Sequence, residues 1–143
     1  MKKTAKLLSA LLLAFLMLLS PAACGGQKAD KEGLWQNATY TEDKTFGTGS
    51  KTVQVEVKVN DRSVTFTLKT DKEMLGDALL EHDLIAGDEG EFGLYVKKVN
   101  GITADYDVDQ SYWSLCQNGE MLMTGVDGTA ITDGAHYELV YAK

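Results

Sequence analysis

Two runs decide the fold, Val53-Gln54-Val55-Glu56-Val57-Lys58-Val59 and Val64-Thr65-Phe66-Thr67-Leu68-Lys69, separated by Asn60-Asp61-Arg62-Ser63. Apolar and polar residues alternate one for one on both sides of the polar break. A period of two puts every second side chain on one face, so each run reads as a strand with one buried face. Asn, Asp and Ser suit the break because their side chains satisfy nearby backbone groups. Two alternating runs joined this way read as a β-hairpin.

Working toward the C-terminus, Thr70 and Glu73 have the spacing of a capping box. Leu75, Ala78, Leu79 and His82 then recur at helical spacing. A helix is expected to begin near Thr70 and end near Asp83, with Gly87 marking its exit. His82 reads as a capping or partly packed histidine, not a catalytic one. Extended runs follow at Phe92 to Val99, Ile102 to Tyr106, Tyr112 to Gln117, Glu120 to Thr124 and His136 to Tyr141. Asn100-Gly101 and Asn118-Gly119 join neighbouring runs, and both residue types tolerate the positive φ of a two-residue hairpin turn. Asp133-Gly134 leads into the last run. Hairpins dominate and no β-α-β alternation repeats, so the class is α+β. The expected architecture is a β-grasp-like twisted sheet built from hairpins with one packed helix, because that helix needs a sheet against which to bury its apolar stripe. The stretch Leu34 to Phe46 has no clear period and could add an edge strand.

Toward the N-terminus the grammar changes. Lys2, Lys3 and Lys6 precede Leu7 to Leu19, a run too short for the roughly 20 residues that span a bilayer. Ser20-Pro21-Ala22-Ala23 follows, then Cys24. Basic, apolar, then small is the order of a secretory signal. A cysteine directly after the small residues resembles the lipobox of bacterial lipoproteins, although Pro21 stands where that motif usually has Leu. Residues 1–23 are therefore expected to be a signal peptide and Cys24 the lipidation site. Residues 24–33 are read as the lipidated cysteine and a flexible tether, since they lack large apolar side chains. Residues 34–143 are read as one domain. The expected location is extracytoplasmic, anchored to the bacterial cell membrane by N-terminal lipid.

Charge narrows the partners. The chain carries a net charge of −7, which becomes −10 without residues 1–23, whose only charged side chains are three lysines. That balance excludes nucleic acid, whose phosphates need a basic face. It also disfavours the folded part lying flat on an anionic membrane. With Cys24 acylated, Cys116 has no partner for a disulfide, and its place inside a strand-like run suggests a buried, inert thiol. A monomer is expected.

Motifs for chemistry are sparse. Asp105, Asp107 and Asp109 open a calcium loop, but Gln110 stands where the sixth position needs Gly, and Cys116 where the twelfth needs Glu. A solvated connection is the better reading. His82 and His136 lack zinc-ligand spacing. No nucleophile elbow or phosphate loop occurs. A Cys116–His136 dyad is conceivable, but a mid-strand cysteine is poorly placed to attack. The expectation is therefore no catalytic residue, no metal site and no cofactor. Aromatic residues are the stronger set. Tyr95, Tyr106, Tyr112 and Trp113 lie near one another in sequence, with Met121 and Met123 beyond. Such side chains can line a ligand cleft or form core. Tyr112 and Trp113 are adjacent, so a strand would send them to opposite faces.

A resemblance joins these residues. Gly93-Leu94 with Val96, Ile102, Tyr112-Trp113-Ser114-Leu115, Gly125-Val126 and Asp133-Gly134 resemble the C-terminal β-domain of the transcobalamin and intrinsic-factor family. The phrases Trp35-Gln36-Asn37-Ala38-Thr39-Tyr40 and Val99-Asn100-Gly101-Ile102-Thr103-Ala104-Asp105-Tyr106 resemble the version of that domain in bacterial lipoproteins and surface proteins, a family of unsettled function. The resemblance implies a transcobalamin-like β-domain over residues 34–143 that can cap a flat corrinoid such as cobalamin. It implies Tyr95, Tyr112, Trp113 and Leu115 as the contact residues. The large helical barrel that completes the site in the vitamin carriers has no counterpart in this sequence. Two readings stand almost level: a non-catalytic corrinoid-binding module, and a cell-envelope protein-interaction or structural module with no small-molecule ligand.

Overall fold

A six-stranded sheet is built around the predicted hairpin in the computed structural model, which describes residues 33–143. The signal peptide, Cys24 and nearly all of the tether lie outside the described residues. Strands β2 (Lys51–Val59) and β3 (Arg62–Thr70) pair antiparallel around the Asn60-Asp61 turn, with Val55 opposite Phe66 and Val57 opposite Val64. Their inward residues Val53, Val55, Val57, Val59, Val64, Phe66 and Leu68 are all buried. The alternation thus sets both register and core. The short β1 (Lys44–Gly47) runs parallel to β3 as an edge strand, the role left open for this segment.

The helix α1 (Leu75–Glu81) starts later than its sequence signal. Thr70 is paired with Lys51 at the end of β3, and its hydroxyl accepts the Lys72 N–H at 3.0 Å. It closes a strand and does not cap a helix. The helix begins instead where Leu75 N donates to the Thr129 carbonyl at 2.9 Å. Its inner face buries Leu75, Ala78 and Leu79.

Gly87 lies inside a further strand rather than at a helix exit. Strands β4 (Ile85–Gly90) and β5 (Gly93–Val99) form a hairpin with a register shift at Ala86/Gly87. With β6 (Ile102–Thr103) they make a second, three-stranded sheet. Asn100 and Gly101 turn between β5 and β6 at φ 50° and 81°, as the Asn-Gly pair predicts. The return strand stops at Thr103, and Tyr106 belongs to a one-turn helix, α2 (Tyr106–Asp109), capped by the Asp105 side chain. β7 (Tyr112–Gln117) has the predicted limits, and Asn118-Gly119 leads into β8, which spans only Glu120–Met121. The last strand, β9 (His136–Ala142), runs parallel to β2 and antiparallel to β7. The sheet order β1-β3-β2-β9-β7-β8 places first-hairpin and last strands side by side at the centre, with the helix on the buried face. This is the α+β, β-grasp-like twisted sheet expected from the sequence.

Residues Leu34–Lys143 form one compact unit. Its N-terminal segment is tied to the core by Trp35, which is buried and donates its indole N–H to the Val59 carbonyl at 3.2 Å. The chain therefore joins the domain at the Asn60 end of β2. Among the described residues, no helix is long and apolar enough to cross a membrane.

Candidate ligand-binding site

β7 carries three of the four residues expected to touch a ligand and divides them by strand alternation. Leu115 faces Leu139 and is 7% exposed, a core residue. Trp113 shares that face, edge-on to Tyr141 with ring centroids 5.7 Å apart. Its indole nitrogen is buried and has no hydrogen-bond partner among the described residues. Tyr112 points the other way and is exposed, its ring 6.5 Å from that of Tyr106. The fourth residue, Tyr95, lies exposed on β5, with the Lys97 ammonium 5.9 Å from its ring centroid. The fold does not gather the four onto one wall.

The outer face of the six-stranded sheet carries polar chemistry that is fully engaged with itself. Lys58 Nζ lies 2.5 Å from Glu138 Oε2 and 3.9 Å from Glu56. Glu138 also accepts the Gly119 N–H at 3.0 Å. The Lys58 hydrogen bond, outweighing burial, holds the Glu138 carboxyl below its usual range, and the same pair raises Lys58. His136 lies 3.1 Å from Glu56 Oε1 and 3.2 Å from Gln54 Oε1. Cys116 lies opposite Glu138 rather than His136 and is half-buried, more open than the inert thiol expected.

The Asp105, Asp107 and Asp109 run serves the chain itself. Asp105 accepts the Asp107 N–H at 3.1 Å, and Asp109 accepts from both the backbone and the hydroxyl of Ser111. Those Ser111 bonds lower the Asp109 pKa. No cluster of three metal-ligating side chains occurs among the described residues.

Sequence reasoning named Met121 and Met123 beside the aromatic set but passed over Phe92, and the fold leaves all three exposed. Phe92, at the β4–β5 turn, is 96% exposed, Met123 is 98% exposed and Met121 is 61% exposed. Large apolar side chains this exposed are costly to keep in water and mark a contact surface when grouped. The β4–β5 hairpin meets the 3-10 turn Val126–Gly128, which follows Met123 closely in sequence. The Asp127 carboxylate accepts the Leu94 N–H at 2.9 Å, fixing the hairpin just beyond Phe92. On the other side, Thr124 Oγ1 meets Thr129 Oγ1 at 3.0 Å, and Thr129 donates to the Gly125 carbonyl at 2.8 Å. Asp127 also touches the start of α1 at Gly76, where a Cβ would lie 2.3 Å from its carboxylate. Asp127 thus links the β4–β5 hairpin to the start of the helix. The sequence signal was slight: a Phe between Glu91 and Gly93, at the head of a run that read as extended.

A family described as a domain of unknown function (DUF4430) matches residues 73–141. The crystal structure of a protein from Ruminococcus gnavus, provisionally ascribed a metal-binding role, is 34% identical in sequence. It superposes with a TM-score of 0.62, covering 66% of this chain and 98% of that one. The chain belongs to the DUF4430 family. The DUF4430 domain also shares its fold with haptocorrin, whose structure in complex with Cbi matches at a TM-score of 0.50 and 24% identity. That match covers 68% of this chain and 26% of haptocorrin, so the DUF4430 domain corresponds to about a quarter of the carrier. No curated protein matches the chain.

Proposed function

We propose that this protein is a lipid-anchored, extracytoplasmic, non-catalytic binding module. Its DUF4430 domain offers the Phe92, Met121 and Met123 rim to a flat ligand of the corrinoid class. The observation that carries this reading is the exposure of three large apolar side chains, Phe92, Met121 and Met123, in the two segments that flank the Asp127 link to Leu94. Cys24 supplies the anchor. The fold shared with a carrier crystallised with Cbi supports the choice of ligand class. Tyr95 lies exposed on the same hairpin as Phe92. A rim buries only one side of a ligand, so affinity is weak unless a partner supplies the second wall.

A second reading, docking of an envelope protein, is favoured by one observation. β8 pairs only with Cys116 and Gln117, so Tyr112 to Ser114 have ladder partners only in β9. An extended segment of another protein could add to that edge. Calorimetry of the full-length protein in detergent, titrated with cobinamide, separates the two. The corrinoid reading expects saturable heat that is lost in a Phe92→Ser, Met123→Ser double variant. Absence of heat at millimolar ligand removes it and leaves the docking reading.

A further inference from the structure

A second feature lies apart from the rim, at the edge of the sheet where β1 meets β3. There a cavity of about 390 Å³ opens between the Gly47-Thr48-Gly49 turn, the end of β3 and the last turn of α1. Its wall carries Lys69, Lys72, Asp71 and Glu81. The turn is pressed onto β3 so closely that only glycine fits: a Cβ at Gly49 would lie 2.1 Å from the Thr70 carbonyl carbon, and Gly47 sits at φ +80°. Asp71 is already spent, because Oδ1 accepts both the backbone N–H of Ser50 at 2.9 Å and its hydroxyl at 2.8 Å. Those two bonds keep its pKa low and pin the turn.

The two lysines have no such partner. Neither Lys69 nor Lys72 is within ion-pair distance of a carboxylate among the described residues, although the chain has a large excess of acid. Behind the wall, His82 packs its ring on Phe46 with centroids 5.2 Å apart. Its Nε2 is buried and has no hydrogen-bond partner, with Glu81 Oε2 3.9 Å away. A buried polar nitrogen left unsatisfied is uncommon and calls for a reason. The cavity wall therefore carries two cations with no ion-pair partner among the described residues and one carboxylate, Glu81, whose nearest neighbour of opposite kind is a buried histidine nitrogen 3.9 Å away.

We propose that this cavity binds a small oxyanion, a carboxylate or phosphate, between the Lys69 and Lys72 ammonium groups, and that Glu81 turns onto His82 Nε2–H as the anion enters. The movement needed is about an ångström, the difference between 3.9 Å and a hydrogen bond. It removes the like charge facing the anion and satisfies the histidine in one step.

The test is titration of the full-length protein in detergent with inorganic phosphate and, separately, succinate, followed by the His82 ring resonances in NMR. Sodium chloride at matched ionic strength is the control. Saturable movement of the His82 signals is expected with at least one probe, and the tighter one identifies the source as phosphorylated or carboxylate ligands. Lys69→Gln and Lys72→Gln should each weaken binding about tenfold, the worth of one charge-assisted hydrogen bond. Lys98→Gln, on β5, should leave binding unchanged. Glu81→Gln keeps both lysines and should bind at least as tightly. The proposal is overturned if neither probe saturates, if chloride produces the same shift, or if binding survives loss of both lysines. It is likewise overturned if Glu81→Gln weakens binding as much as loss of a lysine. Cobinamide binding at the rim is a separate measurement, and its outcome does not bear on this one.

Discussion

Replacing Trp35 by Phe tests whether the segment before the first strand belongs to the core. Three contributions are lost. The indole N–H to the Val59 carbonyl, 3.2 Å long and buried, is worth about 1 kcal/mol net. Shrinking a side chain that is only 3% exposed leaves a void that costs about another 1 kcal/mol. The Arg62 guanidinium sits 4.7 Å from the ring centroid, and a smaller ring gives up roughly 0.5 kcal/mol of that attraction. Together the variant should lose about 2–3 kcal/mol, which at about 1.5 kcal/mol per molar urea lowers the unfolding midpoint by about 1.3–2 M. The chain has two tryptophans, so the variant reports through Trp113 alone. Urea unfolding followed by fluorescence, with circular dichroism as a second probe, is the assay. A midpoint within about 0.3 M of wild type, at unchanged slope, would refute the claim that residues 34–40 are part of the folded unit.

Gly87→Ala places a Cβ 1.9 Å from the Tyr95 carbonyl oxygen, so the β4–β5 bulge must open; melting should drop by roughly 10 °C, and an unchanged melt would mean the bulge is not held as described. The Glu138 carboxyl titrates below its ordinary 4.5 because of Lys58, so the pair's stabilisation is complete above that value and is lost as pH falls through the lower folded value. The urea midpoint should therefore fall less steeply on acidification in Glu138→Gln than in wild type, and equal slopes count against the pairing. Membrane fractions should yield an acylated N-terminal peptide beginning at Cys24, and a Cys24→Ala protein that remains equally membrane-bound removes the anchor.

The parts of the fold legible in sequence are those where local pattern and final environment agree. Val53 to Leu68 alternates because one face of β2 and β3 is buried along its whole length, and Asn100-Gly101 turns where its residues allow positive φ. β4 was invisible because five of its six residues are exposed and it offers no apolar face to read; only its pairing with β5 makes it a strand. The capping-box reading at Thr70 failed because a strand position, fixed by its partner Lys51, overrode a local helix signal. The parallel pairing of β9 with β2 joins residues about 80 positions apart, and no local pattern records it.

The site was harder still. Strand alternation correctly separated Tyr112 from Trp113, but which element would bring other aromatics beside them depends on the second sheet. Phe92 was read into a strand because it precedes an apolar run, yet it sits at the turn. What makes its position meaningful is Asp127, more than thirty residues later, whose carboxylate ties the hairpin to the Met123 segment. A contact made through one distant carboxylate leaves no periodic mark.

The central claim is that the Phe92, Met121 and Met123 rim is where this domain meets its ligand. Methyl NMR of the protein labelled at methionine, titrated with cobinamide, tests it most directly. The Met121 and Met123 methyl signals should move together and saturate, and that movement should vanish in Phe92→Ser. Saturable cobinamide binding that leaves both methyls unmoved would place the ligand elsewhere and contradict the account.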